Sequence, residues 1–337
     1  MRAAVYRRFG GPEVVRVEEV PKPTAGPGDV LIRVHASTVS AADHRARSKN
    51  VPKGLRLAVA LALGIIAPRK RILGMDVAGV VEAVGADVTL FAPGDEVIAM
   101  LGGSFGGHAE YVCIAQRAAI TAKPRNLGFD ESVALVFGGV TAHAFLGRAS
   151  IGRGDSVLVN GASGAVGTAA VQLARVLGAR VTAICSAANG ELVARLGAWR
   201  AIDYTASSFL DEARSYEVIV DCVGDVPFER LAERVRPAGA LLLVVADLRA
   251  TLLSSSRGSW MGKFISSASV EYSADALRYL VGLAESGQYQ PVVDRTYALD
   301  EIVEAHRYVD TGRKKGNVVL RLASPPTTPT TETGHSK

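Results

Sequence analysis

Cysteine, aromatic residues and long hydrophobic runs are all scarce in this 337-residue chain. Its three cysteines, Cys113, Cys185 and Cys222, are odd in number, far apart and set in apolar stretches. This usage argues against a disulfide-stapled secreted domain and against a cysteine-rich metal site, and it favours buried free thiols in a reducing cytosol. We therefore expect a cytoplasmic protein.

No apolar run reaches the roughly eighteen residues that a membrane span needs, and the charged amino terminus lacks an apolar core of signal-peptide length. The longest run, LAVALALGIIA, covers residues 57–67 and is followed by Arg69, Lys70 and Arg71. A run of this length is more typical of a core or pocket-lining helix than of a helix in a membrane interface. We expect the former, and no membrane span.

Charge patterning gives no sign of a nucleic-acid partner. The formal net charge of +5 and the pI near 9.1 are mild, and the basic clusters at 68–71 and 312–316 are not interleaved with aromatic residues. A nucleic-acid-binding protein would show a basic stripe or a recognisable module. The positive excess suits an anionic cofactor or substrate, or ordinary solvated surface.

Glycine, by contrast, is abundant, and three glycines stand three residues apart at Gly161, Gly164 and Gly167. The stretch VLVNGASGAVGTAAVQLAR (157–175) begins as a short buried strand and continues from Ala165 with apolar residues at helical spacing. The glycines therefore lie on a strand-to-helix turn, where a missing Cβ allows close approach of a ligand and of the helix. Unpaired N–H groups at the helix amino terminus make phosphate the expected guest.

Strands and helices alternate after this turn. Strand-like runs at 180–185, 200–204, 216–224 and 239–247 are separated by helical stretches such as 190–198. This alternation predicts an α/β protein with a doubly wound parallel sheet. The turn and the sheet together indicate a dinucleotide-binding domain.

The first 120 residues follow a different pattern, in which short strand-like runs are broken by Gly, Pro and Asp. This pattern predicts a mainly-β, antiparallel, barrel-like domain over 1–122, followed by the nucleotide-binding domain over 123–271. A closing strand late in the chain predicts a return to the first domain over 272–323. The Pro/Thr-rich tail, 324–337, is expected to be disordered.

Six motifs resemble, in order, the zinc-independent medium-chain dehydrogenases/reductases of the quinone oxidoreductase branch, the group of zeta-crystallin and the plant alkenal reductases. They are GMDVAGVVEAVG (74–85), GDEV (94–97), GGHAEYV (106–112), GVTA (139–142), NGASGAVGTAAVQLAR (160–175) and YEVIVDCVG (216–224). The resemblance covers nearly everything from Met1 to about Leu322. It implies a GroES-like catalytic domain beside a Rossmann domain, a homodimer, and hydride transfer from NADPH to a quinone or an α,β-unsaturated carbonyl.

The resemblance also locates the positions at which zinc-dependent relatives hold their catalytic ion. Here they carry Ser40, Met75 and Phe137, and neither Met75 nor Phe137 is a useful zinc ligand. The four clustered cysteines of the structural zinc lobe of those relatives are missing as well. We expect no metal.

Without zinc, hydrogen-bond donors must meet the negative charge that hydride transfer leaves on the acceptor oxygen. Ser40 is the candidate catalytic residue because it occupies a ligand position, although many relatives have Asn there. The alternative is that nearby backbone satisfies its hydroxyl.

The other polar residues of this region are expected to be structural. Asp43 should hold its loop through Arg45 or Arg47. His44 should lie on the surface rather than donate a proton, and His108 should serve packing or hydrogen bonding.

The end of the second strand of the parallel sheet decides between the two nicotinamide cofactors. NAD-specific sheets place an acid there for the ribose hydroxyls, whereas this chain has Cys185 and Ser186. The missing acid leaves room for a 2′-phosphate, although the following residues to Asn189 offer only neutral donors. We predict NADPH, with NADH also possible.

The resemblance implies further cofactor contacts along the chain. They are Thr141 on the nicotinamide side; Gly161, Ser163, Gly164, Ala165, Val166 and Gly167 at the pyrophosphate turn; Ser186 and Tyr204 near the ribose; Val223 and Val245 at sheet ends, where core packing is the alternative; and Asn317 on the closing strand.

Two other functions stay open beside reduction of a small, electron-poor acceptor. One is a stand-alone enoyl reductase acting on an acyl thioester, with residues 57–67 covering the acyl tail. The other is a cofactor-binding protein without catalysis, serving as a redox sensor or a structural protein.

Overall fold

Two seven-stranded β-sheets, a two-stranded antiparallel sheet and the helices packed on them make up the computed structural model, which describes residues 1–52, 54–255, 259–260, 262–267 and 270–322. The strands are β1 (Arg2–Tyr6), β2 (Val15–Glu19), β3 (Asp29–Val39), β4 (Asp76–Val84), β5 (Glu96–Met100), β6 (Tyr111–Ala115), β7 (Ile120–Ala122), β8 (Ser156–Asn160), β9 (Arg180–Cys185), β10 (Arg200–Asp203), β11 (Tyr216–Asp221), β12 (Val235–Leu243), β13 (Ser259–Trp260), β14 (Lys263–Ser266), β15 (Val293–Ala298) and β16 (Asn317–Arg321). The α-helices are α1 (Ala41–Ser48), α2 (Arg56–Leu63), α3 (Phe129–Leu146), α4 (Ala165–Val176), α5 (Gly190–Arg195), α6 (Phe228–Glu233), α7 (Leu248–Ser255), α8 (Ala274–Glu285) and α9 (Ile302–Asp310). The tail predicted over 324–337 lies outside the described residues.

The second half of the chain forms a sheet in the order β10-β9-β8-β11-β12-β14-β13. Neighbouring strands from β10 to β14 are parallel, and only β13 runs antiparallel to β14. Val157 and Val159 of β8 pack into one hydrophobic core, whereas Leu158 between them packs into another. Strands covered on both faces read as continuous apolar runs, which is why the sequence pattern identified them. The predicted doubly wound sheet is confirmed.

The first half forms a second sheet in the order β15-β16-β3-β4-β5-β7, with β6 beside β3. Its pairs are antiparallel except for β15 and β16. The late strand β16 pairs with β3, with Val318 opposite Val39. The segment after the parallel sheet therefore contributes two strands to the antiparallel one. The domain boundaries themselves stay a prediction.

Helix α3 lies between the two sheets. It packs on β3, β4 and β5 of the antiparallel sheet and on α4 of the parallel one. A helix that is apolar all round is stable when it is buried on every side, as this sequence requires. Gly138 allows α3 to approach α4, since a Cβ there would lie 2.4 Å from the Ala165 carbonyl oxygen. This contact places α3 beside the glycine turn.

Helix α2 contradicts the expectation of a core or pocket-lining helix over 57–67. None of its residues is buried, and the following Ile65 and Ile66 are exposed as well. The helix also has no residue in the lining of the two cavities described below. Among the described residues, no helix is long and apolar enough to cross a membrane.

Candidate functional site

The turn between β8 and α4 uses its three glycines for different reasons. Gly161 has a φ of 75°, which favours glycine, and a Cβ there would lie 2.6 Å from Val223 Cγ2. At Gly167 a Cβ would lie 2.1 Å from the Gly161 carbonyl oxygen. Gly164 differs, because its φ is −79° and the nearest heavy atom to a Cβ would be 3.6 Å away. The fold does not need glycine at 164, so access to the backbone is the reason left for it.

The amino terminus of α4 is open to an anion. Gly164 is its N-cap, no side chain caps the helix, and its first turn holds no acidic residue. The Thr168 N–H donates to the Gly164 carbonyl oxygen at 2.8 Å. By helix geometry the N–H groups that precede it have no partner within the helix. Together with the positive end of the helix dipole, they fit a phosphate group.

The turn faces a cleft of about 570 Å³, which we call the turn cleft. It lies at the carboxyl ends of β8, β9 and β11, where the strand order reverses and where parallel sheets bind ligands. Its volume and position fit a dinucleotide. The predicted site residues that line it are Gly161, Ser163, Gly164, Ala165, Val166, Gly167, Tyr204 and Val223.

Ser186, at the end of β9, is tied to the glycine turn. The side-chain Nδ2 of Asn189 donates to the hydroxyl oxygens of Ser163, at 3.0 Å, and of Ser186, at 3.3 Å. Asn189 Oδ1 is buried and has no hydrogen-bond partner among the described residues. A buried acceptor without a partner calls for a donor from a ligand or a water molecule.

An acid does stand near this strand end, on the neighbouring strand. Asp203 pairs in register with Cys185, and its carboxylate accepts from the Thr205 N–H at 3.0 Å and from the Thr205 hydroxyl at 2.8 and 2.9 Å. These bonds, and a further one from the Ala187 N–H, hold the pKa of Asp203 below its ordinary value. Asp203 lies on β10, so the residues at the end of β9 alone do not reveal this acid. Its lone pairs are largely used within the protein.

Lys314 is a cation that the sequence did not single out. It is the only Lys or Arg among the described residues that line the turn cleft. Its Nζ donates to the Gly316 carbonyl oxygen at 2.6 Å, and the Gly316 N–H donates to the Ser163 carbonyl oxygen at 2.8 Å. Desolvation lowers the pKa of Lys314 to about 8, against the opposing effect of Asp294. The basic cluster beside the closing strand was the available signal.

Asn317, predicted to reach the cofactor, is directed elsewhere. Its Nδ2 donates to the carbonyl oxygens of Ala134, at 2.9 Å, and Val292, at 3.1 Å. The side chain is buried and does not line the turn cleft. Its donors tie β16 to α3, and Lys314 is the residue of this segment that enters the cleft.

A second cavity, of about 680 Å³, opens beside the turn cleft, and we call it the adjoining cavity. Val223 lines both spaces, and Val245 lines the adjoining cavity. Thr141 is buried within α3 and lines neither. The residues that line both spaces, which we call the shared wall, are Ala41, Val223, Asp225, Val226, Val309 and Gly312. A ligand in the turn cleft can therefore meet a second molecule where the two spaces join along this wall.

His44, predicted to lie on the surface, is 24% exposed in its side chain and lines the adjoining cavity. Its Nδ1 lies 2.6 Å from Asp310 Oδ1. Arg47, fully buried, donates through Nη2 to both carboxylate oxygens of Asp310 at 2.7 and 2.5 Å. A carboxylate that holds Nδ1 fixes the ring and leaves Nε2 for another partner.

Ser40 caps helix α1. Its Oγ accepts from the N–H groups of residues 42 and 43 at 3.2 and 3.3 Å and donates to Asp43 Oδ2 at 2.6 Å. Asp43 Oδ1 accepts from the Gly74 N–H at 2.9 Å. Local groups thus satisfy the Ser40 hydroxyl, as in the alternative left open above. Asp43 accepts hydrogen bonds from Ser40 and Gly74. Arg47 binds Asp310 instead of Asp43.

Asp76 and His108 are both buried, and each forms hydrogen bonds with Thr38. The Thr38 N–H donates to Asp76 Oδ1 at 2.8 Å, and its hydroxyl lies 2.9 and 2.8 Å from the two carboxylate oxygens. Burial raises the pKa of Asp76 to about 7. His108 Nε2 lies 2.9 Å from the Thr38 carbonyl oxygen, a hydrogen-bonding position.

The three positions of a catalytic zinc site carry a poor donor set. The Ser40 hydroxyl is used in the helix cap, Met75 packs against the cores, and Phe137 lines the turn cleft. In the described part of the chain no three His, Cys, Asp or Glu side chains group as metal ligands. A thioether and a phenyl ring do not fit Zn²⁺.

Two family models match the chain. The "alcohol dehydrogenase GroES-like domain" matches residues 26–125, and the "zinc-binding dehydrogenase" model matches residues 196–320.

Known proteins match over nearly all of the chain. Quinone-oxidoreductase QR1, chloroplastic, of Triphysaria versicolor is 31% identical over 95% of this chain and 98% of its own length. The NADPH-dependent alkenal/one oxidoreductase, chloroplastic, of Arabidopsis thaliana is also 31% identical, over 95% of this chain and 79% of its own. Among solved structures, the quinone oxidoreductase from Coxiella burnetii superimposes with a TM-score of 0.85 at 27% identity, covering 96% of this chain and 99% of that one.

Proposed function

The chain belongs to the zinc-independent quinone oxidoreductase branch of the medium-chain dehydrogenases/reductases, and from that premise we propose that it is an NADPH-dependent reductase of quinones or α,β-unsaturated carbonyls. As an NAD(P)H-dependent oxidoreductase it uses a nicotinamide cofactor. The observation that carries the proposal is the junction of two spaces, a turn cleft with an open helix amino terminus and an adjoining cavity that shares Val223 with it. Hydride transfer needs its donor and its acceptor in direct contact, and two spaces that join along a shared wall allow this.

We propose that the turn cleft holds the cofactor, which supplies the hydride when bound. The turn around Gly164 would bind the pyrophosphate through backbone N–H groups, with Lys314 as the balancing cation. Val223, which lines both spaces, and Val245, which lines the adjoining cavity, would border the nicotinamide end. Thr141 lines neither space, so the geometry gives its predicted contact no support. Ser186 and Tyr204, at the far end, would border the adenosine ribose.

The preference for NADPH rests on the ends of β9 and β10. Ser186 offers a hydroxyl where NAD-specific sheets hold a carboxylate. Asp203, the acid nearby, has its oxygens engaged by Thr205 and Ala187 and is poorly placed to accept from ribose hydroxyls. NADH remains the second candidate.

We propose that the reaction proceeds without zinc, because the donor set at Ser40, Met75 and Phe137 does not suit it. The negative charge on the acceptor must then be met by a proton or a donor from the protein. His44 is the titratable side chain of the adjoining cavity that is oriented for this role, since Asp310 holds its Nδ1. Ser40 would position His44, because the Ser40 hydroxyl caps α1, the helix that carries His44.

The thiol state of the chain supports the proposed reducing, cytoplasmic location. Cys113, Cys185 and Cys222 are all free. A homodimer, implied by the resemblance, is part of the same proposal and is tested by light scattering of the purified chain.

A panel of acceptors tests the proposed function. Purified protein is mixed with NADPH and, separately, a benzoquinone, a short enone, an enoyl thioester and a simple ketone, and absorbance of the reduced nicotinamide is followed. We expect oxidation with the quinone or the enone and none with the ketone. Preference for the thioester would establish the enoyl reductase instead, and tight NADPH binding without turnover would establish a cofactor-binding protein.

A further inference from the structure

The apolar run at 57–67 is exposed where the chain is most basic. Leu57, Leu61, Ile65 and Ile66 are 72, 51, 64 and 91% exposed. Monomeric proteins rarely leave neighbouring large apolar side chains this open unless the patch binds something. Lys49, at the carboxyl end of α1, contacts the segment through Nζ, which donates to the Ile65 carbonyl oxygen at 2.7 Å.

The charge around this run has one sign. Residues 44–75 contain no Asp or Glu and eight Lys or Arg, of which Arg56, Arg69, Lys70 and Arg71 are exposed beside the apolar side chains. Glu18 is a carboxylate near these basic side chains, and the positive charge of Arg71 helps to lower its pKa. Apolar side chains inside a basic rim complement the surface of an anionic bilayer, where tails meet phosphate headgroups.

The exposed run also borders the adjoining cavity. Residues 50–52, which precede the run in the chain, line that cavity, and so do Asp247 and Arg249 on either side of Leu248. Gly54 packs so closely on α7 that a Cβ there would lie 2.6 Å from Leu248 Cβ. Whatever covers the run therefore lies close to residues that line the adjoining cavity.

We propose that residues 56–71, the docking face, bind the surface of an anionic membrane and open the adjoining cavity toward the lipid phase. Helix α2 has eight residues, enough to lie in the interface and too few to cross it. The acceptor would then be a lipophilic quinone or enone dissolved in the bilayer. That second part rests on the proposed function, and the membrane contact does not.

Vesicle sedimentation of the full chain tests the membrane contact. Vesicles of phosphatidylcholine alone are compared with vesicles containing roughly a third phosphatidylglycerol, at low salt and at about 0.5 M salt, where the Debye length falls to roughly 4 Å. We expect binding to the anionic vesicles at low salt, with much weaker binding to the neutral ones or at high salt.

Two variants separate the contributions. Each basic residue at an anionic surface contributes about fivefold in affinity, so Arg69→Gln/Lys70→Gln/Arg71→Gln should lose about a hundredfold. Ile65→Ser/Ile66→Ser should lose about tenfold or more, because less apolar surface enters the interface. Leu90→Ser, which changes a leucine that is 56% exposed in the loop between β4 and β5, is the matched control and should bind like wild type.

The outcomes are distinct. Wild-type chain that stays in the supernatant with anionic vesicles overturns the proposal, and so does equal binding by all variants. If Ile65→Ser/Ile66→Ser turns a dimer into a monomer while wild type ignores vesicles, a second copy covers the face instead. Reduction of a water-soluble quinone should be equal in all variants, whereas reduction of a long-chain quinone in vesicles should fall only in those that lose binding. Wild type that binds vesicles and reduces neither quinone refutes the proposed function alone.

Discussion

Replacing Lys314 by Met should weaken cofactor binding and remove its dependence on pH between 7 and 9. The ammonium of Lys314 is the cation of the turn cleft, and burial holds its pKa at about 8 in the free protein. An anionic cofactor favours the charged form, so binding raises this pKa and takes up a proton. Affinity should therefore be constant below pH 8 and fall as pH rises above it.

The size of the effect follows from that pKa of about 8. Lys314 is about nine-tenths charged at pH 7 and about one-tenth charged at pH 9, so wild-type affinity should fall about tenfold over this interval. A hydrogen bond to a charged group contributes about 1.5–3 kcal/mol, so Lys314→Met at pH 7 should bind about 10- to 150-fold more weakly. At pH 8 wild type should take up about half a proton per cofactor bound.

Few other groups of the turn cleft titrate in this window. Burial raises the pKa of Cys185 and of Cys222 above that of an ordinary thiol, which disfavours their thiolate forms. The carboxylates nearby are Asp225, which lines the cleft, and Asp294, which accepts from the Lys315 N–H. A phosphomonoester ionises at about pH 6, below the interval chosen.

Fluorescence titration of NADPH at pH 7, 8 and 9, and calorimetry in two buffers of different ionisation enthalpy, measure these quantities without turnover. Lys315→Met is the matched control, since this exposed neighbour does not line the cleft and should behave as wild type. A flat wild-type profile, or the same slope in Lys314→Met, refutes the reasoning.

Three further substitutions and one analysis test the rest of the site. Gly164→Val should keep the native circular dichroism spectrum, because a Cβ fits there, and lose NADPH affinity sharply; unchanged affinity would mean that the turn does not hold the phosphate. Ser186→Asp should lower NADPH affinity at least tenfold, about 1.4 kcal/mol, through repulsion of the 2′-phosphate; equal losses for NADH would place Ser186 away from the ribose. His44→Gln should slow reduction of an enone, which must gain a proton, by about 10²–10⁴-fold with NADPH affinity unchanged; enone turnover equal to that of His143→Asn, a control on α3, would remove His44 from the chemistry. Elemental analysis should find no stoichiometric zinc, and one zinc per chain, with activity lost to a chelator, would contradict the ligand argument.

What the sequence predicted well depends on local pattern. The glycine turn was predictable because strand, turn and helix are contiguous, and the need of Gly161 for a positive φ is a property of one residue. The parallel sheet was predictable because its apolar runs and helical repeats are each short. In both cases the physics acts within about twenty residues.

What the sequence missed depends on contacts between distant segments. His44 and Asp310 are 266 residues apart, and Asp43 meets Gly74 across two elements. The exposure of α2 could not be inferred either, because an apolar run looks the same whether or not another element covers it. These features require the fold first.

The carboxyl end of α9 and the turn that follows it join the two halves of the proposed site. This segment supplies Asp310 to the adjoining cavity and Lys314 to the turn cleft. Val309, before Asp310, and Gly312, between Asp310 and Lys314, line both spaces. Arg47 neutralises Asp310 through both carboxylate oxygens, so the acid can hold His44 without leaving an unpaired buried charge beside the acceptor. Lys314 Nζ donates to the Gly316 carbonyl oxygen and forms no ion pair with a described residue, although the charge of Asp294 acts on it, so its charge is balanced only in part. A paired acid on the proposed acceptor side and a lysine whose charge is balanced only in part on the proposed cofactor side suit a neutral acceptor and an anionic hydride donor.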